Sequence, residues 1–508
     1  MRAEMEKFRS DPPWTRVRLL ATAVAGASLL LYLFTLYPGV GGRINPGDSA
    51  KFQFVGSILG VPHPTGYPVY ILLSFLWGQI PLPVSLASRI NVLSAIFAAL
   101  TNLVVFLILR AQLGRRDLLA LALTAMFAVT TTYWTQATEA KFYTLNSLLL
   151  ATIIWLATRW EQTRSRRVLL ALGVVLALSL GNHSSTVALL PALGYLLAGP
   201  DWRAIWSRAS AGWAGLCAIL IVAEYSYIYI RSQQGALYLE GIGPHASLGA
   251  LVDYVSGGPF KRDLFGVIGQ GMVTATLLRL GRQLVDELGL VVLALSGVAL
   301  FLVRGRLATF LRILLAAEGL FILAVDYKAP DIQVLLIPIV LVLVLILGQG
   351  LGALVDRLAL RIYPLLTAGL SAFVVWLFLA NLPVLRVPHN PWEAAVKPFL
   401  DAAESGTVIV ADTRNLEGYY LAEVLFYYLY GERYQERRGM EVYFLGGGEA
   451  SLRKFLDSGR PVYADGRLGS KLTRRGFEVR TLEPAMGERF VRVLMSKTRA
   501  DEPSSQEE

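Results

Sequence analysis

The sequence predicts a polytopic α-helical membrane protein with a small C-terminal α/β domain, and three observations carry that prediction. The 508 residues are 55% hydrophobic and 17% charged, with a mean hydropathy of +0.52, whereas a soluble chain is roughly 25% charged. Apolar runs of about 17–25 residues recur between residues 19 and 380, each long enough to cross a ~30 Å hydrocarbon core. Beyond about Leu382 the pattern changes to short apolar runs alternating with amphipathic ones, as strands alternating with helices read.

Spans fall near 17–37, 86–109, 118–134, 143–158, 168–181, 185–199, 210–230, 288–303, 307–325, 332–348 and 362–380, about eleven transmembrane helices. The first run is too long for the apolar core of a signal peptide, and no small-x-small cleavage site follows it. Residues 67–80 are too short to cross straight and read as an interfacial or re-entrant helix. The formal charge of +10 reflects basic residues in short loops. Arg16, Arg18, Arg110, Arg115, Arg116, Arg159, Arg164, Arg166, Arg167, Arg203, Arg208, Arg304, Arg306, Arg357 and Arg361 all fall on one side of the membrane under this span count. The positive-inside rule makes that side cytoplasmic. No basic-aromatic surface suggests nucleic acid. The single cysteine, Cys217, lies in an apolar run, so no intrachain disulfide can form.

The expected organisation is a cytoplasmic N-terminus (1–16), a transmembrane module (17–381) whose first outer loop is 38–85, an extracytoplasmic α/β domain (382–498) and a disordered tail (499–508). The predicted location is the cell membrane. In the tail, "GTVIVADTRNLEGYYLAEVLFYYLYG", "MEVYFLGGGEASLRKFLDSG" and "RPVYADGRLGSKLTRRG" each read strand, turn, helix, implying a mainly parallel sheet. Gly446–Gly448 lacks the Lys-Ser/Thr of a phosphate loop and reads as a turn.

Polar residues gather at the outer ends of the spans: Asp48 and Lys51; Glu139, Lys141 and Tyr143; Asn182 and His183; Glu224 and Arg231; Lys261 and Arg262; Asp326, Lys328 and Asp331. All four histidines, His63, His183, His245 and His389, fall on the same side. Any one of these groups reads plainly as a solvated interface residue. Their recurrence, mixing acids and bases, favours a shared polar site. The densest stretch is "NPGDSAKFQFVGSILGVPHPTGYPVY", residues 45–70. Phe52, Val55, Ile58 and Leu59 recur at helical spacing, which predicts a short helix along the membrane surface with Asp48 capping it. "VPHPTGYP" then breaks the chain.

A carboxylate at a membrane surface, bases for an anion and an apolar flank suit glycosyl transfer from a polyprenyl-phosphate sugar. A general base takes the proton of an acceptor hydroxyl. Cations stabilise the phosphate leaving group. A transporter also carries polar groups, though nearer the bilayer midplane.

The stretch Gly47-Asp48, Leu59-Gly60-Val61-Pro62-His63-Pro64-Thr65-Gly66-Tyr67-Pro68-Val69-Tyr70 and Arg89-Ile90-Asn91-Val92-Leu93-Ser94-Ala95 resembles the opening of the protein O-mannosyltransferase-like membrane family, counted among GT-C glycosyltransferases. "TEAKFYTLN", "LSLGNHSST" and "YSYIYIRS" resemble later landmarks of that family. The resemblance covers roughly residues 17–265 well and the rest loosely. It implies a GT-C-like fold and transfer of a sugar, mannose in the characterised animal member, from a lipid phosphate to protein hydroxyls. Asp48 matches the first-loop acid that serves as base, and with that base the anomeric centre inverts. Glu139 matches the second outer-loop acid. Lys51, His63, Tyr67, Arg89, Glu139, Tyr143, Asn182, His183, Arg231, Lys261 and Arg262 are the candidates for binding substrate.

Lys51 stands where the family usually has an acid, Thr65 replaces a proline, and His183 lacks a second histidine beside it. Asp48, His63, Glu139 and His183 could together hold a metal, but the charge of Lys51 disfavours a divalent cation at Asp48. Transfer from a lipid-linked phosphate does not chemically require a metal. The expected partners are a polyprenyl-phosphate-linked sugar, a protein or glycan acceptor and membrane lipid. Two other readings stay open: a lipid-linked carrier without covalent chemistry, and a non-catalytic scaffold whose outer domain binds a partner.

Overall fold

Each apolar run is matched by a helix in the computed structural model, which describes residues 14–114, 116–199, 208–325, 332–358, 362–445, 449–482 and 489–495. Asp326, Lys328, Asp331, Gly446–Gly448, Arg115, Arg203, Arg361 and the tail 499–508 lie outside the described residues. Among the described residues, seven helices are long and apolar enough to cross a membrane: Arg16–Phe34, Leu86–Leu113, Ala211–Gln233, Val273–Leu302, Arg306–Val325, Ile332–Arg357 and Tyr363–Leu385. Asp117–Ala128 and Thr131–Ala137, bent by 74°, make an eighth if counted as one span. The runs at 143–158, 168–181 and 185–199 are helical but fall short of that test. Tyr143–Thr163 begins Tyr-Thr-Leu-Asn-Ser and ends Arg-Trp-Glu-Gln-Thr, so its apolar stretch is shorter than the helix. Arg166–Leu180 has 15 residues, about 22 Å of rise.

The chain divides into two compact units, neither contiguous in sequence. One comprises Met1–Leu36, Leu59–Trp77 and Asn91–Val387, the other Tyr37–Ile58, Gly78–Ile90 and Pro388–Glu508. The first is the helical membrane unit. Its core is aliphatic and aromatic, with Ile332–Arg357 almost wholly buried. Buried polar side chains there include hydrogen-bonded ones, which an apolar medium favours: Asn102 donates to Tyr32 at 2.9 Å, and the Tyr32 hydroxyl donates to the Ala128 carbonyl at 3.0 Å. At the bend, Asn381 donates to the Val129 carbonyl at 2.8 Å, and Glu287 accepts from the Thr132 amide at 3.0 Å. The backbone groups freed by the break thus find partners. Large apolar side chains such as Leu30, Phe301 and Leu365 are exposed on the spans, as lipid-facing positions are. Several of these basic residues pair with acids: Arg16 and Arg110 with Asp117, Arg116 with Asp356, and Arg306 with Glu161.

The second unit holds a five-stranded sheet: β1 (Val408–Ala411), β2 (Glu441–Phe444), β3 (Val462–Asp465), β4 (Phe477–Thr481) and β5 (Phe490–Met495), in the order β2-β1-β3-β5-β4. β1 pairs parallel with β2 and β3. β5 runs antiparallel to β3 and β4, so the sheet is mixed. The short link from Thr481 to Phe490 leaves no room for the crossover that a parallel pair needs. Val408, Val410, Leu452, Val462, Leu472 and Val493 form the core under it. In the same unit, Asn390 caps the Pro391–Ala402 helix by accepting from the amides of Trp392 and Glu393. Its amide donates to the carbonyls of Pro38 and Val40 at 2.6 and 2.8 Å. This binds the start of the first loop to the C-terminal segment.

Strands β1 and β3 both lead into Ala-Asp-x-Arg, and each aspartate is gripped by its own arginine. Asp412 accepts from Arg414 Nε and Nη2 at 2.7 Å each and from Lys471 at 2.7 Å. The arginine hydrogen bonds, with Lys471 adding to them, hold its pKa well below the usual carboxylate range. A depressed folded pKa gives stability that is complete above the unfolded value of about 3.9 and is lost as pH falls through the folded one. Asp412→Asn is therefore expected to speed amide exchange in β1 about tenfold at pH 7. The gap to the wild type should narrow as pH falls from about 4. Hydrogen-exchange mass spectrometry of the detergent-solubilised chain reads it, and a gap independent of pH would refute the charge-based account.

Candidate active site

The helix Pro46–Phe54 starts from Asn45, whose Oδ1 accepts from the Asp48 amide at 3.1 Å. Asn45 is thus the cap, where the sequence suggested Asp48. Asp48 occupies the first turn, where the helix dipole favours a carboxylate, and Asn45 Nδ2 donates to its Oδ2 at 3.0 Å. The helix is buried on nearly every side, so it is not a surface-lying amphipathic helix. The helix ends at Phe54, so of the expected stripe Phe52, Val55, Ile58 and Leu59 only Phe52 lies in it, and Lys51 and Gln53 on either side of Phe52 are buried as well. Gln53 is accommodated by the backbone of the first loop: it accepts from the Gly41 amide at 2.8 Å and donates to the carbonyls of Gly39 and Gly41.

Against this helix packs Leu416–Phe426, capped by Asn415. Tyr419 donates to Asp48 Oδ1 at 2.5 Å. Lys51 Nζ donates to the Tyr419 oxygen at 2.8 Å and lies 3.5 Å from Asp48 Oδ1 and 3.6 Å from Glu423 Oε1. The Lys51 side chain is 0% exposed, Glu423 5% and Asp48 20%. In this group, Asp48 is the carboxylate that solvent or substrate can reach. The close approach depends on Gly47, where a Cβ would lie 2.7 Å from the Tyr419 ring.

In the membrane unit a second group forms around "VPHPTGYP". Val61 bridges to Leu239, Tyr227 donates to the Gly60 carbonyl at 2.8 Å, and Arg231 Nε donates to the Leu59 carbonyl at 2.7 Å. This anchoring sets His63, whose Nε2 is 2.9 Å from the Tyr67 hydroxyl and whose Nδ1 is 3.8 Å from Glu240. Tyr67 stacks on Phe142 at 3.9 Å, and Phe142 on His183 at 5.1 Å, with Tyr143 beside His183. Asn182 donates to the Phe142 carbonyl at 3.4 Å. His183 Nδ1 accepts from the Ser185 amide at 3.1 Å, which leaves the ring proton on Nε2. Burial pushes its pKa down to about 3, so it is neutral. Glu139 and Lys141 are buried nearby in sequence.

Residues 48–205 match the model of the protein O-mannosyl-transferase TMEM260 N-terminal domain. Protein O-mannosyl-transferase tmem260 of Dictyostelium discoideum is 23% identical over 138 residues, 27% of this chain and 16% of that protein. Protein O-mannosyl-transferase TMEM260 of Mus musculus is 28% identical over 180 residues, 34% of this chain and 25% of that one. The aligned region therefore spans a quarter or less of either relative. The fold is similar to that of ArnT from Cupriavidus metallidurans bound to undecaprenyl phosphate, with TM-score 0.63 and 13% identity over 94% of this chain and 98% of that one. The apo form of the same protein gives TM-score 0.60. Part of the chain is thus similar to protein O-mannosyl-transferases, and its fold is similar to that of ArnT.

The matched region begins at Asp48 and takes in Lys51, His63, Tyr67, Arg89, Glu139, Tyr143, Asn182 and His183. Arg231, Lys261 and Arg262 lie beyond it. The Arg89 guanidinium donates to the carbonyls of Gly78, Leu82 and Val84, bracing the loop 78–84. Besides Leu59, Arg231 donates to Gln234 at 2.6 Å. Lys261 forms a 2.8 Å ion pair with Asp253, and Arg262 is exposed. Sequence reasoning missed Tyr419, Glu423, Glu240 and Phe142. The one faint signal was Glu423, an acid inside the apolar run Leu421–Phe426. Among the described residues, no group of three or more His, Cys, Asp or Glu is placed to hold a metal ion.

Proposed function

We propose that the chain is an integral membrane glycosyltransferase that moves a sugar, mannose by its O-mannosyltransferase likeness, from a polyprenyl-phosphate donor to an acceptor hydroxyl, protein Ser or Thr. The observation that carries the reading is Asp48. It is a partly accessible carboxylate held from two sides by Asn45 and Tyr419 and set beside a buried ammonium. A positioned carboxylate of this kind takes the acceptor proton as the acceptor oxygen attacks the anomeric carbon. The new C–O bond forms as the bond from carbon to phosphate oxygen breaks, the polyprenyl phosphate departs, and the configuration inverts. The ArnT likeness supports the lipid-phosphate donor, since that protein was solved with undecaprenyl phosphate. The aromatic faces of Tyr67, Phe142 and Tyr143, with His63, Asn182, His183 and Glu139, are our candidates for contacting substrate. We assign the basic loops to the cytoplasm and the segment 382–498 to the extracytoplasmic side, which puts the chemistry there.

The test is reconstitution of the full chain in liposomes with undecaprenyl-phosphate mannose and a Ser/Thr-rich peptide. Mass spectrometry is expected to find hexose on a peptide hydroxyl. Movement of the lipid-linked sugar between leaflets with no glycosylated product would instead support a carrier and overturn the reading.

A further inference from the structure

Lys51 stands where the resembled family usually has an acid. Its ammonium is fully buried, with carboxylates of Asp48 and Glu423 on two sides and the Tyr419 oxygen at 2.8 Å. It also sits 5.0 Å from the centre of the Tyr419 ring. A lysine that binds a donor phosphate must offer its charge to an incoming anion. This one already lies among a phenol and two carboxylates supplied by its own unit. The hydrogen bonds run in one direction: Lys51 donates to the Tyr419 oxygen, and Tyr419 donates to Asp48. An ammonium donating into a phenol polarises its O–H and strengthens it as a donor. Tyr419 and Glu423 lie four residues apart on one helix, so both side chains meet the same facing turn.

We infer that Tyr419 and Glu423 are positioning residues of the Asp48 site, and that Lys51 acts through them rather than by binding donor phosphate. This rests on the reading of Asp48 as general base. Glu423 balances the charge of Lys51, Lys51 orients the Tyr419 hydroxyl, and Tyr419 fixes the carboxylate that receives the proton. The helix Leu416–Phe426 of the C-terminal segment is then part of the catalytic assembly.

Full-length variants in liposomes, assayed with undecaprenyl-phosphate mannose and the peptide, test this. Tyr419→Phe removes one oxygen and is expected to lower kcat roughly ten- to hundredfold with donor KM within about twofold. Lys51→Met should likewise lower kcat and leave donor KM in place. Adding Glu423→Gln to Lys51→Met should recover about tenfold, because the buried negative charge that Lys51 balanced is removed with it. A phosphate-binding Lys51 would instead raise donor KM and be indifferent to Glu423→Gln, and either result overturns the inference. Wild-type kcat in Tyr419→Phe overturns it as well. Asp48→Asn is run alongside. If it stays fully active the base reading fails, and the inference with it. If it is inactive while Tyr419→Phe turns over normally, only the inference fails.

Discussion

Asp48→Asn is expected to lower turnover by about a thousandfold, within the range removed when a general base is lost. The amide keeps the size and shape of the carboxylate but cannot take a proton from the acceptor. Its oxygen can still accept from Tyr419. Its NH2 would oppose Asn45 Nδ2, which now donates to Oδ2 at 3.0 Å. The stability change should be about 1 kcal/mol, one hydrogen bond lost at a partly exposed site. The folded variant should therefore elute and melt close to the wild type while the peptide stays unmodified. Donor KM should change little, since a base acts on the acceptor in the transition state. Retained turnover in a well-folded preparation would remove Asp48 from the mechanism.

Gly418→Ala is expected to destabilise the C-terminal segment by about 3 kcal/mol, at the upper end for overpacking. A Cβ on Gly418 would lie 1.9 Å from the Asp412 carbonyl oxygen and 2.9 Å from its carbon. These are backbone atoms directly after β1, and they cannot rotate away as a side chain can. The helix must shift, and the amide of Gly418, which donates to Asn415 at 2.8 Å, shifts with it. Tyr419 is the next residue, so the displacement carries its hydroxyl away from Asp48. Both the thermal midpoint in detergent and the turnover number should fall. The contrast is Gly47→Ala, where the Cβ meets the ring edges of Tyr419 and Tyr420 at 2.7 and 2.8 Å. Side chains give more readily than backbone, so its effect should be smaller. A Gly418→Ala protein with the wild-type midpoint would show that the helix has slack that this geometry does not allow.

Much of the candidate site is legible in the sequence. Asp48, Lys51 and His63 stood out because ionisable groups crowd a short stretch after an apolar run. His183, Tyr143 and Tyr67 stood out within the motifs "LSLGNHSST", "TEAKFYTLN" and "VPHPTGYP", and the structure brings those three together around Phe142. Phe142 itself was invisible, because an aromatic in an apolar sequence carries no sign of what stacks on it. Arg89, Arg231 and Lys261 read alike in sequence, as basic residues at span ends. The structure separates them by their acceptors: loop carbonyls for Arg89, the Leu59 carbonyl and Gln234 for Arg231, and a surface aspartate for Lys261.

What the sequence determined by itself is the kind of medium each segment occupies. Hydropathy and alternation are local sums over neighbouring residues, so the membrane helices, the strand-helix tail and the accumulation of ionisable groups could be read directly. Tertiary structure decided which residues share a site. Tyr419 is 371 positions from Asp48, and no local period links them. The meeting is made by two short helices that pack closely because Gly47 has no side chain. That packing makes Asn45 rather than Asp48 the cap, buries the helix that periodicity laid on the surface, and turns Lys51 from an exposed cation into an inward one. Burial and partner choice depend on contacts between distant segments, and those exist only once the chain has folded.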